Sequence, residues 1–375
     1  MFKSRKSITN GLSHSPHFVN TNLFVMPLQS LNTFGTIKTT NAYNEQFERI
    51  FTSLNEKRQE LQSRVSSLPP GDDSLRNQGV YMAWKYEQAE IQMGGKGSRD
   101  WTDAQMQEIF DRGRVRGAEG HHINSVGEHT SQQANPDNIK FMINKEEHLA
   151  AHNGNWKNPT EGDLIDKNSR LEDINNKRIN KNELTGIGLA AAIGLGIGFT
   201  IGAVTTLAKQ GVSVKSVMEA AGVGLKTGAE SSVLAVINHG LVRGIGEAAT
   251  TVLAQIATER FGFTLTENLV KMCNMAVVGA VSTIVFSTWV FVKLKWKGHA
   301  TSFALKQVGK TLGYSLGILF LSIVAQGIWG GHAGLILSLG IGLSMVLYQF
   351  VKMQLDKQFY EKIRLFTIHK LRPNF

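Results

Sequence analysis

Apolar residues follow two different rules on either side of residue 184. Upstream they recur singly, at helical spacing, in a polar and charged background. Phe47, Ile50, Phe51, Leu54, Leu61, Val65 and Leu68 share one helical face, and Pro69-Pro70-Gly71 then breaks the pattern. A second helix is expected from Asp73 to about Met93, and a third from Thr102, where Thr102-x-x-Gln105 has the form of a capping box. Residues 1–42 hold no acidic residue and are rich in Ser, Thr and Asn, which predicts a flexible polar tail.

Downstream the chain changes solvent preference. Residues 185–208 and 272–292 contain no charged side chain, and in residues 311–351 the only titratable charge is His332. A helix needs about 20 apolar residues to cross a bilayer. The first two runs therefore predict one span each, and the third a pair turning at Gly330-Gly331-His332, giving about four. Residues 209–271 mix glycine-rich apolar patches with isolated charges, and predict either helices lying on the membrane or shorter spans packed against the others. Gly194, Gly198 and Gly202 form a small-xxx-small stripe that lets helices approach closely, within one chain or between chains of a homo-oligomer. Basic residues cluster before residue 185, between Lys293 and Lys310, and after residue 351. By the positive-inside tendency all three belong on the cytoplasmic side, which gives a multi-pass inner-membrane protein with its polar N-terminal half cytoplasmic.

Charge and cysteine usage narrow the partners. The formal charge of +10 favours polyanions, either nucleic acid or an anionic lipid surface. A single cysteine, Cys273, excludes an internal disulfide framework.

The densest chemistry lies in Glu119-Gly-His-His-Ile123, Pro136-Asp-Asn-Ile139 and His148-x-x-x-His152. His148 and His152 stand one helical turn apart on one face, and Asn144-x-x-Glu147 is a capping box that would start their helix. His121 and His122 would point to opposite faces of a strand, so one can bind a metal while the other faces water. A structural zinc finger is the simpler alternative, but such sites usually take Cys ligands, and the lone Cys273 lies far along the chain.

These motifs resemble the HNH (His-Me finger, ββα-metal) endonucleases, in particular the double-histidine branch that holds colicin-type and GHH toxin nucleases. The resemblance covers about residues 101–160. It implies His121, His148 and His152 as ligands of one divalent metal, Zn²⁺ or Mg²⁺, and His122 as general base. It also implies Asn138 as the residue fixing the loop between two strands, Glu119 as a catalytic acidic residue, and Arg116 as its companion arginine. Lys140, Lys145, Lys157 and Trp156 are candidates for backbone contact, with a solvated face the default reading.

The expected fold is α+β. A mostly helical region at 43–165 carries the finger, 166–184 is a basic linker, 185–351 is an all-α glycine-rich membrane domain, and 352–375 is a basic tail. The expected function is a membrane-anchored bacterial endonuclease acting on double-stranded DNA with little sequence preference. Its biological role would be anti-phage defence or toxicity, the latter with an immunity protein as a further partner. A membrane channel or scaffold with a non-catalytic finger is the competing reading. A module that inserts from solution, as pore-forming toxins do, is a third.

Overall fold

The computed structural model describes residues 22–65, 73–211, 213–329 and scattered positions between 337 and 366. The chain divides into two compact units, Lys38–Leu184 on the one hand and Met1–Ile37 with Thr185–Phe375 on the other.

In the first unit, α1 (Asn22–Val65), α2 (Asp73–Gln92) and the first turns of α5 (Lys167–Gln210) meet around a core of Leu54, Leu61, Leu75, Met82, Tyr86 and Leu171. α1 begins well inside the stretch expected to be a tail, and Thr36, Ile37 and Thr40 on it are buried. The Pro69-Pro70-Gly71 stop lies outside the described residues. α3 (Asp103–Arg112) starts at the expected capping box, with Thr102 and Gln105 bonded reciprocally. A two-stranded antiparallel sheet follows, β1 (Glu119–His122) against β2 (Ile139–Met142), with His121 opposite Lys140. Beneath it Trp84, Trp101 and Phe141 form an aromatic layer, the Trp84 and Phe141 rings stacked with centroids 3.8 Å apart. The short α4 (Lys145–Ala151) completes a ββα finger.

α2 is pressed directly onto this finger. A Cβ on Gly120 would lie 2.6 Å from Val80 Cγ1, and one on Gly79 would lie 2.8 Å from the Gln133 carbonyl oxygen. Only glycine permits these approaches.

Residues 167–184, read from composition as a linker, are the opening turns of α5 and pack on this unit. Arg170 forks onto Glu90 at 2.9 and 2.8 Å, and Arg178 reaches Gln46 and the Tyr43 carbonyl. Their basic side chains bind neighbours here, which composition alone does not reveal.

The second unit holds the rest of α5 with α6 (Val214–Phe261), α7 (Glu267–Trp296) and α8 (Thr301–Trp329). The uncertain 209–271 stretch is mostly one 48-residue helix, α6. The glycine stripe packs within the chain. Added Cβ atoms on Gly194 and Gly198 would lie 2.5 and 2.6 Å from the carbonyl oxygens of Ser231 and Thr227, while Gly224 and Gly228 face α5 in return. Three helices are long and apolar enough to cross a membrane among the described residues: Lys167–Leu207, Glu267–Trp296 and Thr301–Ala325. A fourth span after Gly330-Gly331-His332 falls where too few residues are described to place it.

Candidate metal centre

Strand alternation and one helical turn build the centre. On β1, Glu119 and His121 project to one face and Gly120 and His122 to the other. α4 supplies His148, and His152 follows as its C-cap, the helix ending at Ala151. Asn144 caps α4 by accepting the Glu147 N–H at 2.8 Å. The Glu147 carboxylate returns to the Ile143 N–H, one residue earlier than a capping box requires, and also takes Arg99. Arg99 in turn donates to the Phe141 carbonyl, fastening α4 to β2.

The rings of His121, His148 and His152 converge, each offering one nitrogen, and these nitrogens lie within 4.8 Å of one another. Hydrogen bonds fix which nitrogen is free. His148 Nδ1 lies 2.8 Å from Glu119 Oε2, and His152 Nδ1 lies 2.9 Å from the Asn158 carbonyl. Both oxygens accept, so both rings carry a proton on Nδ1 and direct a lone pair from Nε2. His121 is 5% exposed, and its buried Nδ1 has no hydrogen-bond partner. A buried nitrogen left this way is costly unless something satisfies it. Three imidazoles that each offer one nitrogen within 4.8 Å of the others fit a divalent cation, so His121, His148 and His152 can hold a metal. Burial, reinforced by His148 and His152, holds the His121 pKa down to about 4, so its ring is neutral and ready to ligate at physiological pH.

His122 sits apart from this cluster. Its Nε2 lies 3.0 Å from the Gln133 carbonyl, which leaves the lone pair on Nδ1. Its pKa is lowered chiefly by burial, with the positive charge of Arg76 adding to it and the Gln133 bond opposing. Asn138 is fully buried and clamps the loop after β1, accepting the Asn124 N–H at 2.7 Å and donating to the Asn124 carbonyl at 2.9 Å.

His122, His148 and His152 line a cleft of about 660 Å³, to which α2 contributes Arg76, Asn77 and Val80 and the turn after α4 contributes residues 156–159. Arg116 is not brought to it; this residue is exposed beyond α3, with its backbone N–H on Glu108. Arg76 lines the cleft instead. It stands three and four residues before Gly79 and Val80, so it shares their face one turn up α2, where the helix overhangs β1. The clue in the sequence was a helical face of arginine, glycine and valine far upstream of the histidines. Nothing local to the finger marks it.

Comparison with known proteins bears on this half of the chain. Residues 73–143 match the family described as GHH signature containing HNH/Endo VII superfamily nuclease toxin, a segment running from the start of α2 to just past β2. Among curated proteins the chain resembles Teneurin-1 of Gallus gallus, 37% identical over 71 residues, and Teneurin-4 of Mus musculus, 35% identical over 71 residues. Teneurin-1 of Homo sapiens is likewise 35% identical over 71 residues. Each match takes in 19% of this chain, and the chain spans only 3% of each relative's length. No solved structure matches significantly. Residues 73–143 thus resemble a nuclease-toxin family, whose members' substrate class is nucleic acid.

Proposed function

We propose that this protein is a membrane-anchored, metal-dependent endonuclease that hydrolyses phosphodiester bonds in DNA with little sequence preference. One observation carries the reading: three imidazoles present free nitrogens toward a common point, while a fourth, His122, keeps a lone pair in the same cleft. A divalent cation held by His121, His148 and His152 supplies Lewis-acid stabilisation of charge on the phosphate. The chain's own groups do the rest. His122 takes a proton from the attacking water, its neutral form favoured by burial. The Gln133 carbonyl fixes its tautomer and Asn138 pins the loop two residues on. Glu119 orients His148, a positioning role rather than contact with substrate. Arg76, which lines the cleft, grips a phosphate oxygen in the role expected of Arg116.

No element resembling a base-reading helix accompanies the finger among the described residues, which supports low sequence preference. The family match favours a toxin over anti-phage defence. The apolar helices support a membrane location, and the basic flanks favour a cytoplasmic nuclease unit by the positive-inside tendency.

The test is direct. Full-length protein in detergent, given plasmid and Mg²⁺ or Zn²⁺, should nick and linearise it, and chelation should stop the reaction. His122→Ala should lower turnover by at least 100-fold while metal affinity stays within about twofold. If folded, metal-loaded protein cuts nothing, the enzymatic reading is wrong; if the variant loses the metal as well, His122 belongs to the ligand set.

A further inference from the structure

Trp156 occupies a place that metal binding and proton transfer leave unexplained. It lies on the turn after α4 and lines the cleft beside Lys157. Its ring centroid is 5.0 Å from that of His148 and 5.7 Å from that of His152, yet the side chain remains 45% exposed. It joins neither hydrophobic core of its unit. A large aromatic left half in water beside a charged centre points to a partner that covers it.

The turn holding the indole is built rather than loose. Asn153 and Gly154 both take the left-handed backbone conformation, at φ 51° and 78°. Asn158 then binds His152 twice over, donating from its side chain to the His152 carbonyl at 2.8 Å and accepting the His152 ring proton on its own carbonyl. Asn155 closes the turn from within, its side chain accepting the Lys157 N–H and its carbonyl the Asn158 N–H. His152 and the backbone that carries the indole are therefore tied by the same set of bonds, which keeps the ring beside the histidine cluster.

We propose that Trp156 is a stacking surface for the base that flanks the scissile phosphate, and that the protein therefore prefers nucleic acid unpaired at the cut. The proposal deepens the nuclease reading and rests on it. Aromatic rings bind bases of any identity through their faces, which suits a protein with little sequence preference. In an intact duplex those faces are buried against neighbouring bases, and exposing one costs unstacking energy. Arg76 and Lys157 line the same cleft as the indole, so two cations are available to phosphates while the ring takes the base. The substrate thus narrows from the double-stranded DNA expected from sequence to single strands and to duplexes with a bulge or mismatch.

The experiment compares one labelled DNA sequence as a single strand, as a perfect duplex and as a duplex with one bulged nucleotide. Full-length protein in detergent with Mg²⁺ is used, and Zn²⁺ affinity is measured in parallel. Wild type should cut the single strand about 10-fold faster than the duplex and cut the bulged duplex next to the bulge. Trp156→Ala should bring the ratio close to one, with duplex cleavage and Zn²⁺ affinity within about twofold of wild type, and Trp156→Phe should restore most of the preference. Equal cutting of both forms by wild type, or an unchanged ratio in Trp156→Ala, overturns the proposal and leaves the nuclease reading intact. Loss of Zn²⁺ binding in Trp156→Ala also overturns it, making the indole a cover for the ligands. Absence of cutting on every substrate by metal-loaded wild type removes the nuclease reading and the proposal together.

Discussion

At the scale of single residues the cleft depends on keeping imidazoles neutral. An unperturbed imidazole is half protonated near pH 6.5. Burial lowers the His122 pKa, and the Arg76 guanidinium lowers it further by disfavouring a second positive charge nearby. The base therefore keeps its lone pair below the ordinary range, and the acid limb of kcat/KM should lie below pH 6.5. Arg76→Ala removes one of the causes that lower the pKa, so the limb should move upward. If Arg76 holds phosphate as proposed, the same change should also raise KM about 10-fold or more. Arg76→Lys keeps the charge and should keep the limb in place while KM stays raised, because an ammonium cannot fork onto a phosphate. Rate profiles between pH 4.5 and 8 at saturating metal check this; a limb that moves downward in Arg76→Ala would contradict the assigned electrostatics.

At the scale of elements, legibility followed the distance over which a residue's partners lie. The four-residue spacing of His148 and His152 encodes a shared helical face, and adjacent histidines on a strand must diverge, so the converging set could be read locally. Arg76 could not, because it reaches the cleft only through the packing of Gly79 on the Gln133 loop and of Val80 on Gly120. The early start of α1 was equally hidden, since a stretch rich in Ser, Thr and Asn without an acidic residue reads as a solvated tail. Basic composition at 167–184 suggested a solvated linker, whereas Arg170 and Arg178 are spent on Glu90, Gln46 and the Tyr43 carbonyl. The glycine stripe was legible as a contact surface but silent about its partner. Its packing on α6 leads to a prediction. Gly198→Leu forces a branched side chain into backbone at 2.6 Å and should destabilise the α5–α6 pair by about 1–3 kcal/mol or more. A thermal melt of the full chain in detergent should show the loss, while light scattering shows no change in oligomeric state. A variant that falls from oligomer to monomer with its melt unchanged would mean that the stripe joins separate chains.

At the scale of the whole molecule, one chain carries a polar unit with a metal centre and a unit whose surface suits lipid. Leu225, Ile245, Ile284 and Phe320 are all more than half exposed or close to it, an arrangement that water penalises and acyl chains do not. Three helices have the length and composition to span. If lipid covers this surface, the expressed protein should stay with membranes through high salt and alkaline carbonate and leave only with detergent. A lysine placed at the centre of a span costs about 2.5–3.5 kcal/mol for insertion. Ile284→Lys with Phe320→Lys should therefore move much of the protein into the carbonate-soluble or aggregated fraction. A polar exchange in the nuclease unit, such as Gln107→Lys, should leave the partition alone. Release of wild type by carbonate would instead favour a chain that is soluble until it inserts. The distinction bears on the chemistry, because an anchored nuclease meets only the nucleic acid that passes close to its bilayer. Under the stacking proposal such a protein would favour strands that arrive or remain unpaired, and its reach would be set by the lipid surface as much as by the cleft.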